Sequence, residues 1–235
     1  MNHGKDAKIY ANGVDLSPFL DSIDNSGTSD VAEVSTFGTV QKPYIAGFGD
    51  GTMSMEGFYD GSVSAAETAL ATALGNTAVI TWYPAGDAVA NYGFGMEADG
   101  TAKSVRATLD GASRITAAMQ SSTGMEPVIC LHAMGKEYSA VFTGTIFNFS
   151  AASTSGGSAY LQVISAVTTA ALSIHQSQYA SFSADDTELV AFTAVTGGRT
   201  AERKAITGAI KQYVRAYANI TAGETVTFNI GIYRK

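Results

Sequence analysis

Residues 34–62 read VSTFGTVQKPYIAGFGDGTMSMEGFYDGS and contain no pattern typical of a catalyst. Thr52 to Asp60 alternates between polar and apolar residues, as expected of a half-buried β-strand. Asp50-Gly51 is expected to form the turn before this strand, because glycine readily adopts the backbone angles of tight turns. The stretch therefore favours a mainly β fold, and the segments on both sides of it favour the same fold.

Several of these segments predict further strands and turns. Lys8 to Leu16 predicts a hairpin, because Asn12-Gly13 suits a type I′ turn, in which both central residues need positive φ. Ser17 to Asp30 is polar and irregular and is expected to be a long loop. Strands are also predicted at 78–83, at 96–99 and 103–109 on either side of a turn at Asp99-Gly100, and at 226–233, where Val226, Phe228, Ile230 and Ile232 face inward.

The second half contains one long apolar segment and one ambiguous segment. Tyr138 to Ser150 is apolar on both faces and predicts a long strand buried on two sides, either inside a sandwich or between subunits. Residues 151–158 (AASTSGGS) are expected to form a flexible loop. Residues 205–220 fit both a helix and a strand, but Gly208 and the β-branched and tyrosine residues favour a strand. In that strand the inward-facing residues would be Ile206, Ile210 and Val214.

One helix is predicted, over residues 63–74 (VSAAETALATAL). Alanine and leucine favour helix, Ser62 or Ser64 can cap its start, and Gly75 follows its end. The apolar stripe that would lie on a sheet consists of Ala66, Leu70 and Leu74.

The length of 235 residues suits one large β domain or two small ones. A weak internal similarity pairs 52–59 with 143–150, 78–83 with 170–175, and 104–120 with 202–218. We expect a single domain over residues 1–235. The alternative is an internal duplication, with two tandem β units at about 1–120 and 121–235.

Composition restricts the surface and the partners. Only 15% of the residues are charged, so the surface is either covered by other subunits or rich in Ala, Ser and Thr. The net charge of −7 disfavours binding to nucleic-acid phosphates. Residues 1–60 carry nine acids and three lysines, whereas residues 199–235 carry seven bases and two acids. This asymmetry suits head-to-tail contact between copies, or pairing of the two ends within one subunit.

No group of residues predicts catalysis, a metal or a cofactor. The histidines His3, His132 and His175 are widely separated and are expected to be packed or surface side chains. The glycine-rich segments 47–51 and 92–95 predict turns and close backbone approaches, not phosphate cradles. A loose polar cluster lacks the spacing of a calcium loop; it consists of Asp21, Asp24, Asn25 and Asp30. We therefore expect no enzyme and no catalytic, cofactor-binding or metal-binding residues.

The single cysteine and the lengths of the apolar segments indicate in which cellular compartment the chain is expected. Cys130 excludes an intrachain disulfide, and its apolar neighbours predict a buried, inert thiol. No apolar run reaches the length of a membrane span, and MNHGKDAK lacks the apolar core of a signal peptide. We expect a chain that stays in a reducing cytoplasm or leaves it without a secretory signal.

Two groups of residues resemble a known family. The first covers roughly the first sixty residues: DLSPFL at 15–20, VSTFG at 34–38, and Lys42 with the run from Tyr44 to Asp60. The second covers roughly the last fifty: Phe192 to Val195, ERK at 202–204, Gly208, YVR at 213–215 and residues 228–234. In these parts the chain resembles the major tail tube proteins of long-tailed, siphovirus-like bacteriophages.

The resemblance implies a β-sandwich or barrel flanked by one helix. It also implies rings, commonly six-fold, whose inner sheets join into one barrel and which stack into the hollow tail tube. The DNA genome would pass through the lumen without specific binding, and three chains would replace six if the duplication were real. The loop before Val31 and the 151–158 loop would be candidate ring-to-ring contacts.

Further partners implied by the resemblance are the tape measure, tail terminator and tail-tip proteins, with assembly in the bacterial host cytoplasm and a final place in the virion tail. No membrane contact is expected. The alternative function is a monomeric β-sandwich binding module, for carbohydrate or as a capsid decoration protein.

Overall fold

The computed structural model describes residues 4–33, 44–59, 66–109, 111–167, 169–221 and 223–235. Within these ranges the chain forms antiparallel strand pairs, one α-helix and a short 3₁₀ turn at Gly4–Asp6. The prediction of a mainly β fold with one flanking helix is confirmed.

The described part of the first half contains eight strands and the helix. They are β1 (Lys8–Ala11), β2 (Val14–Asp15), β3 (Leu20–Glu33), β4 (Tyr44–Phe58), α1 (Ala66–Ala73), β5 (Thr77–Tyr83), β6 (Tyr92–Thr108), β7 (Gly111–Ser121) and β8 (Glu126–His132). The described part of the second half contains β9 (Phe142–Thr143), β10 (Phe147–Asn148), β11 (Gly157–Ala166), β12 (Thr169–Ser177), β13 (Thr187–Ala191), β14 (Val195–Thr196), β15 (Thr200–Ile206), β16 (Tyr213–Ile220) and β17 (Val226–Arg234).

Most of the strands belong to one large sheet with the order β15-β11-β17-β8-β6-β5-β1-β2. From β6 the same sheet also extends through β7 and β4 to β3. A second sheet contains β10-β16-β12-β13, with β9 on β16 and β14 on β12. Because β8 pairs with both β6 and β17, it joins strands of the two chain halves into one continuous sheet.

Two apolar cores lie against the large sheet. In the first, α1 packs on strands of the first half; it contains Ala69, Leu70, Ala73, Ile80, Met96, Ile115 and Met119. In the second, the two sheets face each other as a sandwich; it contains Leu161, Ile174, Val214, Phe228, Ile230 and Ile232. The inward alternation predicted for 226–233 is confirmed, because Val226 and the three residues named last are all buried.

A layer of buried tyrosines lies between these two cores, and glycines in β6 leave space for their rings. Tyr10, Tyr83 and Tyr160 are fully buried there. Gly95 in β6 leaves room for the ring of Tyr160, since a Cβ at this position would lie 2.7 Å from it. Gly93 does the same for the ring of Tyr83. The close backbone approach predicted for 92–95 is confirmed, but the segment is part of a strand and not a turn.

Buried amides tie the two halves together across this layer. The Gln162 side chain accepts a hydrogen bond from the Gly13 N–H at 2.8 Å and donates one to the Val79 carbonyl at 2.9 Å. Asn229 accepts a hydrogen bond from the Tyr83 hydroxyl at 3.1 Å. An unsatisfied buried polar group costs about 1–3 kcal/mol, so these bonds favour one position of the halves over others.

The first hairpin and the helix agree with the sequence in most respects. Asn12 and Gly13 have φ of 49° and 74°, which confirms the I′-type turn, and Gly75 has a φ of 72° just after the helix. The predicted stripe is wrong at Leu74, which is 44% exposed, because the helix ends at Ala73. The candidate caps Ser62 and Ser64 lie outside the described residues.

Three segments predicted as loops or turns are strands. Residues 20–30 of the expected loop belong to β3, Asp50-Gly51 lies within β4, and Asp99-Gly100 lies within β6, where a bulge follows at 100–102. The predictions failed because β3 is an edge strand whose outward side chains are polar. Gly51 is also needed within the strand, since a Cβ there would lie 3.1 Å from that of Met125.

The long strand predicted at 138–150 is wrong. This segment forms only β9 and β10 at the margin of the second sheet, and Gly144 approaches the backbone of Ala216 between them. Val141 is 58% exposed, so the segment is not buried on two sides in one copy. The predicted 151–158 loop is shorter than expected, because Gly157 begins β11 and Ser158 is buried.

The choice of strand over helix for residues 205–220 is confirmed, but the segment contains parts of two strands. β15 ends at Ile206 and β16 begins at Tyr213, and Gly208, with a φ of 88°, lies between them. Ile206, Ile210 and Val214 are buried as predicted. The segments matched in the proposed duplication differ in structure: 104–120 is the β6–β7 hairpin, whereas 202–218 is divided between the two sheets.

The close approach at Gly95 gives a test of the fold. We expect Gly95→Ala to lower the free energy of unfolding by about 2 kcal/mol, because the added methyl group overlaps the buried ring of Tyr160. Gly4→Ala is the control, since a Cβ at Gly4 meets nothing within 4 Å. Urea denaturation measures both, and equal midpoints for the two variants would contradict the packing described.

Candidate functional site: a sheet with two free edges

One part of the large sheet has an unpaired strand at each lateral edge among the described residues. We call it the four-strand sheet; it comprises β3, β4, β7 and residues 101–108 of β6, in the order β3-β4-β7-β6. Its register aligns residues directly opposite one another across all four strands. One such row is Ser22, Glu56, Thr116 and Ser104, and the next is Asp24, Ser54, Ala118 and Ala102.

The back face of the four-strand sheet is apolar and covered. Alternate residues of β4 and β7 point to the core beneath α1 and are almost completely buried: Met53, Met55, Ile115, Ala117 and Met119. This alternation fixes which face of the sheet is turned to water, because a slip by one residue would exchange the two faces.

The front face is exposed and built mainly from small side chains, with the half-exposed ring of Phe58 at one end of β4. Its rows contain Ser, Thr and Ala with few charges. The acids are Asp24, Asp50 and Glu56, joined by Asp21 through its ion pair, and the bases are Arg106 and Arg114. Arg114 forms ion pairs with Glu56 at 2.8 Å and with Asp21 at 2.7 Å. The front face therefore carries an excess of negative charge.

Both lateral edges of the four-strand sheet are free among the described residues. β3 pairs only with β4, and residues 101–108 of β6 pair only with β7, because β5 and β8 bind the earlier part of β6. Free backbone N–H and C=O groups on a strand edge are a template for pairing with another chain.

The number of strands makes the two edges compatible. Since neighbouring strands are antiparallel and there are four of them, β3 and β6 run in opposite directions. β3 of one copy can therefore form an antiparallel pair with β6 of a second copy that has the same orientation. The contact is heterologous and can repeat from copy to copy.

Two hairpins project from opposite ends of the same sheet. The β6–β7 hairpin turns at Leu109, whose side chain is fully exposed at 102%. The β3–β4 hairpin continues in the other direction, beyond the pair formed by Thr28 and Asp50. Each copy thus presents one projection at each end of its strands.

The loose polar cluster of Asp21, Asp24, Asn25 and Asp30 lies on a strand and not in a loop. Asp21 and Asn25 lie on β3, where Asp21 binds Arg114 and the Asn25 amide donates to the sulfur of Met125 at 3.2 Å. The side chain of Asp30 lies outside the described residues. Across the described ranges no three His, Cys, Asp or Glu side chains are placed to share a metal ion.

Two histidines are packed against aromatic rings. His132 is 5% exposed and lies among Tyr138, Phe142 and Phe228, at ring-centre distances of 4.4–5.2 Å. His175 stacks on Tyr217, and its Nδ1 lies 2.7 Å from a carboxylate oxygen of Asp186. His3 lies outside the described residues.

Cys130 is buried as predicted. Its side chain is 0% exposed, and burial raises the pKa of its thiol to about 12. At neutral pH the thiol is protonated and therefore a poor nucleophile.

Three basic residues near the chain end form ion pairs with acids outside the first sixty residues. Arg203 pairs with Glu126 at 2.8 Å, and Lys211 pairs with Asp185 at 2.6 Å. Arg215 likewise pairs with an acid of the second half. These three ion pairs therefore do not join the acidic start of the chain to its basic end.

In the part of the chain that the structure describes, no helix has the length and apolar character needed to span a lipid bilayer.

The burial of His132 predicts a pH-dependent stability. Burial, and then the nearby Lys136, lower the pKa of His132 from 6.5 to about 4. Between these values the unfolded chain holds a proton that the folded chain does not, so the free energy of unfolding falls as pH decreases. The slope for one proton is about 1.4 kcal/mol per pH unit.

We expect His132→Phe to remove this part of the acid sensitivity, since phenylalanine fits the aromatic cluster and does not titrate. His175→Gln serves as the control and keeps the contribution of His132. Urea midpoints measured between pH 7 and pH 4 test this. Equal pH dependence in the wild type and His132→Phe would show that His132 does not titrate as described.

No family model matches the chain, and no curated protein matches it. Among solved structures, a chain in the virion of a native gene transfer agent particle is similar, with 13% identity over 53% of this chain and 97% of that one, and a TM-score of 0.43. A chain in the tail of an empty gene transfer agent particle with C6 symmetry has 14% identity, the same coverage and a TM-score of 0.43.

A third similar structure is the Dit protein of phage SPP1, a hub of the adsorption apparatus in phages that infect Gram-positive bacteria. It has 9% identity over 97% of this chain and 98% of that one, with a TM-score of 0.34. At such low identity these likenesses concern the fold and by themselves assign no function to this chain.

Proposed function

We propose that this chain is a structural protein of a phage tail, and that its copies form rings that stack into the hollow tube through which the DNA genome passes. The observation that carries this proposal is the four-strand sheet with one free edge on each side. Each chain acts as one structural domain in this assembly, has no catalytic role and is assembled in the host cytoplasm.

Ring closure satisfies the free edges. β3 of each copy pairs with residues 101–108 of β6 in the next, and a closed barrel leaves no edge open to random pairing. Six copies give a barrel of about 24 strands, which is more than the roughly 16 to 18 of a porin with a water-filled channel. With strands about 4.8 Å apart, its backbone diameter is about 37 Å before any tilt.

Six copies are favoured over three. A three-chain ring would need two equivalent inner sheets in each chain. The segments matched in the possible duplication fold differently, and the four-strand sheet has no counterpart built from 143–150 and 202–218.

The front face suits the lumen of such a tube. Its side chains are mainly Ser, Thr and Ala, and its acids exceed its bases. Negative charge repels the phosphate backbone, so the genome can move along the wall without being held. The covered back face and α1 then lie outside the barrel.

The two hairpins suit stacking between rings. They project in opposite directions along the strands, so the contact is heterologous and continues as an open filament. A filament of this kind needs partners that set its length and close its ends, which is the role of the tape measure, tail terminator and tail-tip proteins. Of the two ring-to-ring candidates from the sequence, residues 20–30 belong to β3 and the loop before Gly157 remains a further candidate contact.

Electron microscopy of the purified protein tests the proposal. We expect negatively stained hollow rings or tubes, and a mass by light scattering that is a multiple of the 24.3 kDa chain. A particle that remains monomeric at every concentration and salt condition would contradict the proposal and favour the binding-module alternative.

The exposed leucine at one hairpin end gives a more specific test. We expect Leu109→Asp to leave rings intact and to reduce tube formation at least about tenfold, because a charge would have to be buried between rings. Val167→Asp is the matched control, since Val167 is 64% exposed and lies away from the four-strand sheet. Tubes of normal length in Leu109→Asp would exclude this hairpin from the stacking contact.

A further inference from the structure

We infer that the joint between neighbouring copies is set in register by an ion pair between Asp24 on β3 of one copy and Arg106 on β6 of the next. This inference rests on the proposed ring and names the contact that would close it. It concerns the front faces of the two free edges, which would meet at the joint.

The charges on these two edges are complementary. Among the described front-face side chains of the free edges, Asp24 is the acid on β3 and Arg106 is the base on β6. Both are exposed, and neither forms an ion pair within the described part of the copy. Asp21 is already bound to Arg114, and Lys103 binds Glu67 of α1 on the back face.

Placing Asp24 opposite Arg106 uses the whole free segment of β6. In an antiparallel pair this register sets residues 22–29 of one copy against residues 101–108 of the other. Between residues 24–28 and 102–106, where β6 has no bulge, each residue meets one of the same face, so that Ser26 faces Ser104. On the back face, the exposed Val105 lies opposite Asn25 and diagonally next to the half-buried Ile23, and the joint covers it.

The same register gives a strand tilt that a barrel can adopt. Within one copy, Asp24 and Ala102 lie in the same row across the four strands. Pairing Asp24 with Arg106 of the next copy therefore displaces the two copies by four residues along the strand direction. That is about 13 Å along the strands for about 19 Å across four strands. The resulting tilt is about 35°, at the lower end of the 35–45° typical of closed barrels, and it does not depend on the number of copies.

Charge reversal tests the ion pair. We expect Asp24→Arg and Arg106→Asp each to lower the fraction of ring-assembled protein at least about tenfold, because like charges meet at every joint. The double variant should restore assembly. Glu188→Arg is the control, since Glu188 is exposed on the second sheet. Light scattering and particle counts measure the assembled fraction. Failure of the double variant to recover would overturn the inference.

Disulfide crosslinking tests the register directly. Opposite residues in an antiparallel pair have Cα atoms about 4.5–5.5 Å apart, within the range that a disulfide spans. We expect oxidised rings of Asp24→Cys with Arg106→Cys to give a ladder of covalent multimers whose longest member equals the ring number. Cys130 does not compete, because it is fully buried.

The matched control is Asp24→Cys with Ala102→Cys, a pair that only an unstaggered joint would place opposite each other. Crosslinking of this control pair in place of the first would overturn the inferred register and leave the proposed ring intact. A wild-type chain that forms no rings would overturn both.

Discussion

The proposed assembly depends on backbone hydrogen bonds that a single copy leaves unmade. Water can satisfy the free edges of β3 and β6 in an isolated copy, so they cost little stability but remain open to pairing. Side-chain charge then decides which edges pair. Among the edge charges without an ion-pair partner in the described part of the copy, β3 carries Asp24 and the free part of β6 carries Arg106. Two β3 edges would bring like charges together, so pairing of β3 with β6 is favoured, and this is the contact that repeats around a ring.

A ring also needs copies that hold their two edges at a fixed angle. The back face of the four-strand sheet packs on α1, and β8 connects it to the sandwich of the second half. Between the two cores, the buried amides of Gln162 and Asn229 bond groups of the first half. Closely packed interiors deform little, so this layer makes the two halves move as one body. The second half therefore supports the four-strand sheet by packing, although the proposed joint does not involve it.

The sequence predicts the parts of this structure that are specified locally or by burial. Asn12-Gly13 determines its turn wherever it occurs, and the alternation at 226–233 identifies a strand with one buried face. The sequence does not reveal β3, because an edge strand that turns polar residues to water has the composition of a loop. The same limit applies to the candidate site. The alternation of Met53 and Met55, and of Ile115 and Met119, was the available signal for its covered face. Its free edges are set by long-range pairing, which no local pattern records.

The low fraction of charged residues allows two interpretations: a surface covered by other subunits, or an exposed surface of small residues such as Ala, Ser and Thr. In the proposed assembly both apply, to different parts of the four-strand sheet. The edges would be covered by neighbouring copies, while the Ser, Thr and Ala side chains of the front face would stay in water on the inside of the tube. A wall that must let DNA pass needs this combination. Basic side chains would hold phosphates, and exposed aromatic rings would stack on bases wherever the duplex opened. Short hydroxyl and methyl side chains do neither. The front-face Arg114 is paired with Glu56 and Asp21 and lies over the ring of Phe58, and the excess of acids keeps the phosphates away from the wall.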